Sequence, residues 1–164
     1  MPSFSFDIVS DYDKAEMNNV FAAVEREIAS RFDFKGTPAA IEWLDNKSGF
    51  KITGAGAWQC DTILDIVRKK LAGRNQSTKT LDTTKVPVES NLKATLEVPF
   101  KQGLSQENAK KITKQLRDEV PKVKAQIQGD AVRVTSSSKD ELQKVIALLN
   151  DTDYDIPLQY INYR

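Results

Sequence analysis

The sequence contains no histidine and a single cysteine, Cys60, in 164 residues. Without histidine the chain lacks the commonest general base, the commonest zinc ligand and every Ser-His or Cys-His nucleophile pair. An enzyme built on it would have to work with carboxylates, lysines or a bound Mg²⁺. One cysteine allows no intrachain disulfide, which fits a reducing, cytoplasmic setting. No apolar run approaches the ~20 residues of a transmembrane helix, so no membrane association is expected. The opening residues MPSFSFDIVSDYD have neither the basic nor the apolar stretch of a signal peptide. A net charge of +1 argues against strong unspecific affinity for nucleic acid. No Asp/Glu group has recognisable metal spacing, and no cofactor is expected.

What is present is a repeated pattern of strands and helices. FSFDIVS alternates, with Phe4, Phe6 and Ile8 on one face. Asp11 to Arg31 has helical spacing through Val20, Val24 and Ile28, with Asp11 or Asp13 as N-cap. AAIEWLD and FKIT read as strands around an NKSG turn. AWQCDTILDIVRKKLAG reads as an amphipathic helix ended by Gly73. Residues 75–90 form a polar connector with room for one short strand. LKATLEVPF then alternates, with Leu92, Ala94, Leu96 and Val98 inward. SQENAKKITKQLRDEV is a helix capped by Ser105, and AQIQGDAVRVT is a hairpin turning at Gly129-Asp130. SKDELQKVIALL is a helix whose Ser138 and Glu141 have capping-box spacing, and DIPLQYINYR holds a last strand.

Each half therefore reads β-α-β-β-α with a further strand. A shift of 82 positions lays GFKITGAGAWQCDTILDIV on AVRVTSSSKDELQKVIALL without a gap, pairing Phe50 with Val132, Ile52 with Val134, Ile63 with Val145, Leu64 with Ile146 and Val67 with Leu149. The expected class is α+β, with two βαββαβ domains over residues 1–88 and 89–164, each an antiparallel sheet with two helices on one face. The other face of each sheet must meet water, the other half or a partner.

Those open faces hold the first candidate site. Alternation sends Ile127, Val132 and Val134 inward and Gln126, Gln128, Arg133 and Thr135 outward, with Lys51 and Thr53 in the matching places of the first half. Gln can bond base edges and Arg can hold a phosphate with two parallel bonds. The plain alternative is a solvated sheet. The strands lack the stacking aromatics of an RNA recognition motif. In SRFDFKG, Arg31 and Lys35 flank Phe32 and Phe34. The group either stacks a nucleotide or closes the loop with two buried rings. Lys101, Lys110, Lys111, Lys114 and Arg117 make a basic run. Within the helix its members lie at i,i+3 and i,i+4 positions, suited to phosphates or simply to solvent. Gly54-Ala55-Gly56 before a helix is a weak anion-site signal. Trp43, Trp58 and Cys60 read as packing residues.

SRFDFKG and AQIQGDAVRVT, together with PSFSFDIVS, KQGL, AKKI and LQYINYR, closely resemble the bacterial YajQ family over almost the whole chain. The resemblance implies two ferredoxin-like domains that exchange their N-terminal strands, FSFDIV pairing in the second sheet and LKATLEVPF in the first. It implies a nucleotide-binding protein with no established catalysis, linked to cyclic di-GMP and to RNA. The expectation is a non-catalytic nucleotide binder with a regulatory role, taking cyclic di-GMP, GTP or ATP. Its binding residues are expected among Arg31, Lys51, Lys101, Lys110, Lys111, Gln126, Gln128 and Arg133. The alternatives are an RNA-binding or ribosome-associated protein using the basic helix 105–120, and a module that binds a regulatory protein.

Overall fold

The computed structural model describes residues 3–164. In chain order the elements are β1 (Phe4–Val9), α1 (Lys14–Ser30), β2 (Ala40–Trp43), β3 (Gly49–Gly54), α2 (Ala57–Gly73), β4 (Val88–Ser90), β5 (Lys93–Pro99), α3 (Gln106–Glu119), β6 (Lys124–Gln128), β7 (Ala131–Ser136), α4 (Lys139–Asp151) and β8 (Gln159–Ile161). The strands form two four-stranded sheets, ordered β6-β7-β1-β8 and β2-β3-β5-β4. All pairs are antiparallel. The first strand of the chain thus sits beside β7, and the first strand of the second half sits beside β3. That is the exchange of N-terminal strands expected above.

By contacts the chain divides into two compact units. One is continuous, Tyr12–Lys101. The other joins the segment ending at Asp11 to Gln102–Arg164. Each unit has its own core. In the continuous unit Met17, Val20 and Val24 of α1 and Ile63, Val67 and Leu71 of α2 pack on Phe50, Ile52, Leu96 and Val98. A group of rings reinforces one end. Phe21 stacks on Trp43 at 4.7 Å, and Phe50 meets Trp43 at 5.1 Å and Phe100 at 4.9 Å. In the other unit Ala109, Ile112 and Leu116 of α3 and Leu142, Val145 and Leu149 of α4 cover Phe6, Ile8, Val132 and Val134. Spacings of three and four on the helices and two on the strands place all of these on one side of each sheet.

Side chains at the helix starts hold their boundaries. An Asp13 oxygen accepts from the Glu16 N–H, Ser105 Oγ from Asn108 and Ser138 Oγ from Glu141, each satisfying a backbone donor that the helix leaves open. The α2 boundary differs from expectation. The helix includes Gly73, and the left-handed residue after it is Asn75 (φ 59°).

Leu92 also differs. Alternation places it in the core, yet it is 94% exposed. The connector contributes β4, and Asn91 and Leu92 form the two-residue turn between β4 and β5, with φ of 51° and 65°. Positive φ at both central residues is the type I′ pattern, which matches strand twist but suits Asn and Gly. A branched side chain carries a steric penalty there. Replacing Leu92 by Gly removes that penalty and loses no packing. The expected gain is roughly 0.5–1 kcal/mol, a rise in Tm of a few degrees by calorimetry.

Candidate functional site

In the discontinuous unit, cross-strand register assembles one polar row. Gln126 lies opposite Arg133, Arg133 opposite Asp7, and Asp7 opposite Ile161. The next row is Lys124, Thr135 and Ser5. Beyond Ser5 the pairing shifts. Asn162 has φ 59°, and Ser5 exchanges both backbone hydrogen bonds with Arg164. The shift brings Arg164 opposite Ser5 and close enough to act electrostatically on Asp7. Gln128 lies two residues beyond Gln126 on the same side and is exposed. Helices cover the opposite side of this sheet, so these side chains face outward.

Asp7 is the anchor of this face. Only 9% of it is exposed. Arg133 Nε donates to Oδ1 at 3.0 Å and NH2 to Oδ2 at 3.5 Å, while Asn162 Nδ2 donates to Oδ2 at 2.8 Å. The Arg133 and Asn162 bonds hold its carboxyl below the usual range against the effect of burial, and the Asp7 carboxylate raises Arg133 in turn. The pair fixes the guanidinium beside Asp7, with Nη1 left over from the two bonds.

The sheet of the continuous unit repeats the plan with a different charge pattern. Lys51 stands at the place of Arg133 but lies between Glu42 and Glu97, its cross-strand partners. Lys85 Nζ bonds Glu97 at 2.8 Å and, with Lys51, lowers the Glu97 carboxyl. Here cations alternate with carboxylates. On the other sheet Arg133 and Arg164 act on the carboxylate of Asp7, and Lys124 stands in the neighbouring row. That is a larger surplus of cations than the one Lys51, Lys85 and Lys93 make over Glu42 and Glu97 on the first sheet.

The other expected residues fall elsewhere. Lys110 and Lys111 are exposed on α3, and Lys111 pairs with Glu107 at 3.2 Å. Lys101 belongs to the continuous unit, where its N–H donates to the Thr80 carbonyl at 2.7 Å and its charge helps to lower Asp82, after the bonds from Thr84. Arg31 caps the C-terminus of α1 and is committed locally. It bonds both Asp33 oxygens at 3.0 and 2.9 Å, reaches Glu27 at 3.5 Å and lies 4.8 Å over the Phe34 ring. The Asp33 bonds hold it above its ordinary value. Phe34 is buried, whereas Phe32 is 84% exposed, so only one of the two rings closes the loop. Ile127, expected inside, is 37% exposed because β6 is an edge strand whose helix side is only partly covered.

Two features have no signal in the sequence pattern. Gln59 is fully buried. Its Oε1 accepts from the Ala55 N–H at 2.7 Å, and its Nε2 donates to Thr37 Oγ1 at 3.3 Å. Glu89 lies at the start of α2, where its Oε1 accepts from the Ala57 N–H at 3.4 Å. The protein's own carboxylate therefore occupies the end that Gly54-Ala55-Gly56 suggested for an anion. Trp58 is mostly exposed, while Cys60 is buried and its thiol is pushed up by burial. Among the described residues no group of three Asp, Glu or Cys converges to hold a metal ion, and no helix is long and apolar enough to cross a membrane.

Two antiparallel sheets, each with two helices on one side and with first strands exchanged, define a two-domain ferredoxin-like protein. A family model described as "Nucleotide-binding protein YajQ-like" matches residues 4–164. Similar proteins named "Nucleotide-binding protein" occur in a Nocardioides species (46% identity over 165 residues, all of both chains) and in Thermobifida fusca (45% over 161 residues, 98% of this chain and 97% of the relative). A third, from Mycobacterium avium, is 43% identical over 165 residues and the whole of both chains. The chain belongs to the YajQ-like family.

Proposed function

We propose that this chain is a non-catalytic nucleotide-binding protein with a regulatory role, and that cyclic di-GMP, with GTP and ATP as weaker competitors, is its ligand. The names of its relatives support the ligand class. The observation that carries the reading is the contrast between the two open faces. The face of β6, β7 and β1 sets Arg133 and Arg164 beside one carboxylate, with Lys124 in the neighbouring row and Gln126 and Gln128 on the same side. Arg133, held in place by Asp7, offers its remaining Nη1 donors to a phosphate, and the two glutamines offer amides to a base edge. A dinucleotide with two phosphates matches a row of cations better than a single anion does. Lys51 is set between two glutamates and contributes least.

Arg133→Gln keeps a polar side chain and removes the guanidinium charge. It is expected to weaken cyclic di-GMP binding about tenfold, the loss typical of one charge-assisted contact. Gln126→Ala on the same row is expected to weaken it less. Unchanged calorimetric affinity in both variants would remove the ligand from this face.

RNA binding through α3 is the second reading. Lys110, Lys114 and Arg117 are exposed at i,i+4 and i,i+3 spacing along one stripe of the helix. Such a stripe tracks phosphates with little sequence preference, and its binding falls steeply with salt. Charge reversal at Lys110 and Lys114 separates the two readings, since it abolishes RNA binding and leaves cyclic di-GMP unaffected.

A further inference from the structure

The turn between β2 and β3 holds two successive residues in the left-handed region, Asn46 (φ 57°) and Lys47 (φ 54°). Asparagine is common there, whereas a lysine is strained and a glycine would relieve it. The Lys47 side chain runs back to α1. Its Nζ donates to Asn18 Oδ1 at 3.2 Å and stands 5.1 Å from the centre of the Trp43 ring. Asn18, Trp43 and Lys47 all line one pocket of about 140 Å³, between the start of α1 and this turn. The ammonium is thus held at the pocket, between two of its walls.

The rest of the lining is apolar or cationic. Met17 is buried, and the Tyr12 ring meets Phe100 at 4.8 Å. Lys14 is a second cation of the lining, and among the described residues no Asp or Glu lines it. Asp13, beside Lys14 in the chain, accepts from the Glu16 N–H at 3.1 Å. An ammonium carries three donors. Asn18 takes one and the indole face attracts the charge, which leaves donors for a ligand. Because Asn18 Oδ1 is the acceptor, its Nδ2 is a further donor at the same place. The volume of about 140 Å³ is that of roughly five waters. That is too small for a nucleotide and suits an acid of a few carbons.

We propose that this pocket binds a small monocarboxylate, its oxygens on the Lys47 ammonium and the Asn18 amide and its short alkyl chain against Met17 and Trp43. A carboxylate makes a charge-assisted bond to the ammonium, and its alkyl chain covers the apolar wall. An inorganic oxyanion, polar on every side, would lose hydration against that wall without compensation. The site shares neither residues nor ligand class with the sheet face around Arg133.

The test is titration of the ¹⁵N-labelled full chain with sodium butyrate, exchanged for sodium chloride at constant ionic strength. Butyrate is expected to shift the amides of Asn18, Asn46 and Lys47 and the Trp43 indole N–H saturably. The indole of exposed Trp58 stays in place. Butyramide, neutral and of the same shape, shifts none of them. Lys47→Gln is expected to weaken butyrate about tenfold, the loss of one charge-assisted contact, with amides outside the pocket unmoved. Lys47→Arg restores most of the affinity. The absence of a saturable shift, equal shifts from butyramide, or unchanged affinity in Lys47→Gln overturns the assignment. Inorganic phosphate that displaces butyrate from the same amides at lower concentration overturns it as well, since the ligand is then a tetrahedral oxyanion.

Discussion

Phe50→Ala is expected to lower the unfolding free energy by about 4 kcal/mol, in the upper range for truncating one core side chain. Phe50 is fully buried on β3. It touches three rings, Phe21 at 6.0 Å, Trp43 at 5.1 Å and Phe100 at 4.9 Å, the last edge to face. Truncation removes the transfer energy of the ring and leaves a cavity whose walls are held by a sheet and two helices. The aromatic contacts add to the area lost. For a chain of this length the midpoint of thermal unfolding is expected to fall by roughly 8–16 °C. Phe50→Leu keeps most of the volume and should cost less than half as much. Equal losses for Ala and Leu would mean that ring contacts, rather than filled volume, stabilise this end of the core.

Asp7→Ala has two expected effects of opposite sign. The substitution leaves Arg133 and Asn162 without the carboxylate that accepts from both. Breaking a mostly buried network of this kind costs about 2 kcal/mol. At the same time the sheet face gains net positive charge and the Arg133 fork becomes available. Affinity for cyclic di-GMP is therefore expected to rise severalfold while stability falls. The stability difference from the native chain depends on pH in a defined direction. The Asp7 pKa is lowered by folding, so its contribution is complete above the unfolded-state value near 3.9. It is lost as pH falls through the depressed folded value. Unfolding curves of the two proteins should be furthest apart near neutrality and converge in strong acid. A constant gap down to pH 2 would show that Asp7 acts through packing and not through its charge.

Most of the architecture is legible in the sequence because binary patterning at periods of two and 3.6 is unambiguous over these segments. Phe6, Ile8, Val132 and Val134 alternate cleanly, and Asp13, Ser105 and Ser138 announce their helices. The strand exchange is not readable from pattern alone, since β1 and β5 present the same alternation to either sheet. It comes from the family resemblance. Leu92 misleads because apolar character suggests burial, while the turn imposed by the paired strands puts it in the left-handed region. Phe32 misleads for a related reason, as a three-residue turn can direct only one of its two rings inward.

At the candidate site Gln126 and Arg133 are readable from alternation within one hairpin. Asp7 is not, because 126 residues separate it from Arg133 in the chain. The same gap hides Arg164, which reaches its place through the register shift at Asn162. Arg31 reads as a free phosphate donor until the turn after α1 folds Asp33 back onto it and the helix sets Glu27 one turn away. Charges that neutralise one another across strands or around a helix end are invisible until the register is known.

The most direct test of a nucleotide-binding sheet face is calorimetric titration of the purified chain with cyclic di-GMP at two salt concentrations. GTP, ATP and a short structured RNA serve as comparisons. Saturable binding of cyclic di-GMP, weakened by Arg133→Gln and only mildly sensitive to salt, is the predicted result. Binding confined to RNA and lost at the higher salt would contradict it and move the function to α3.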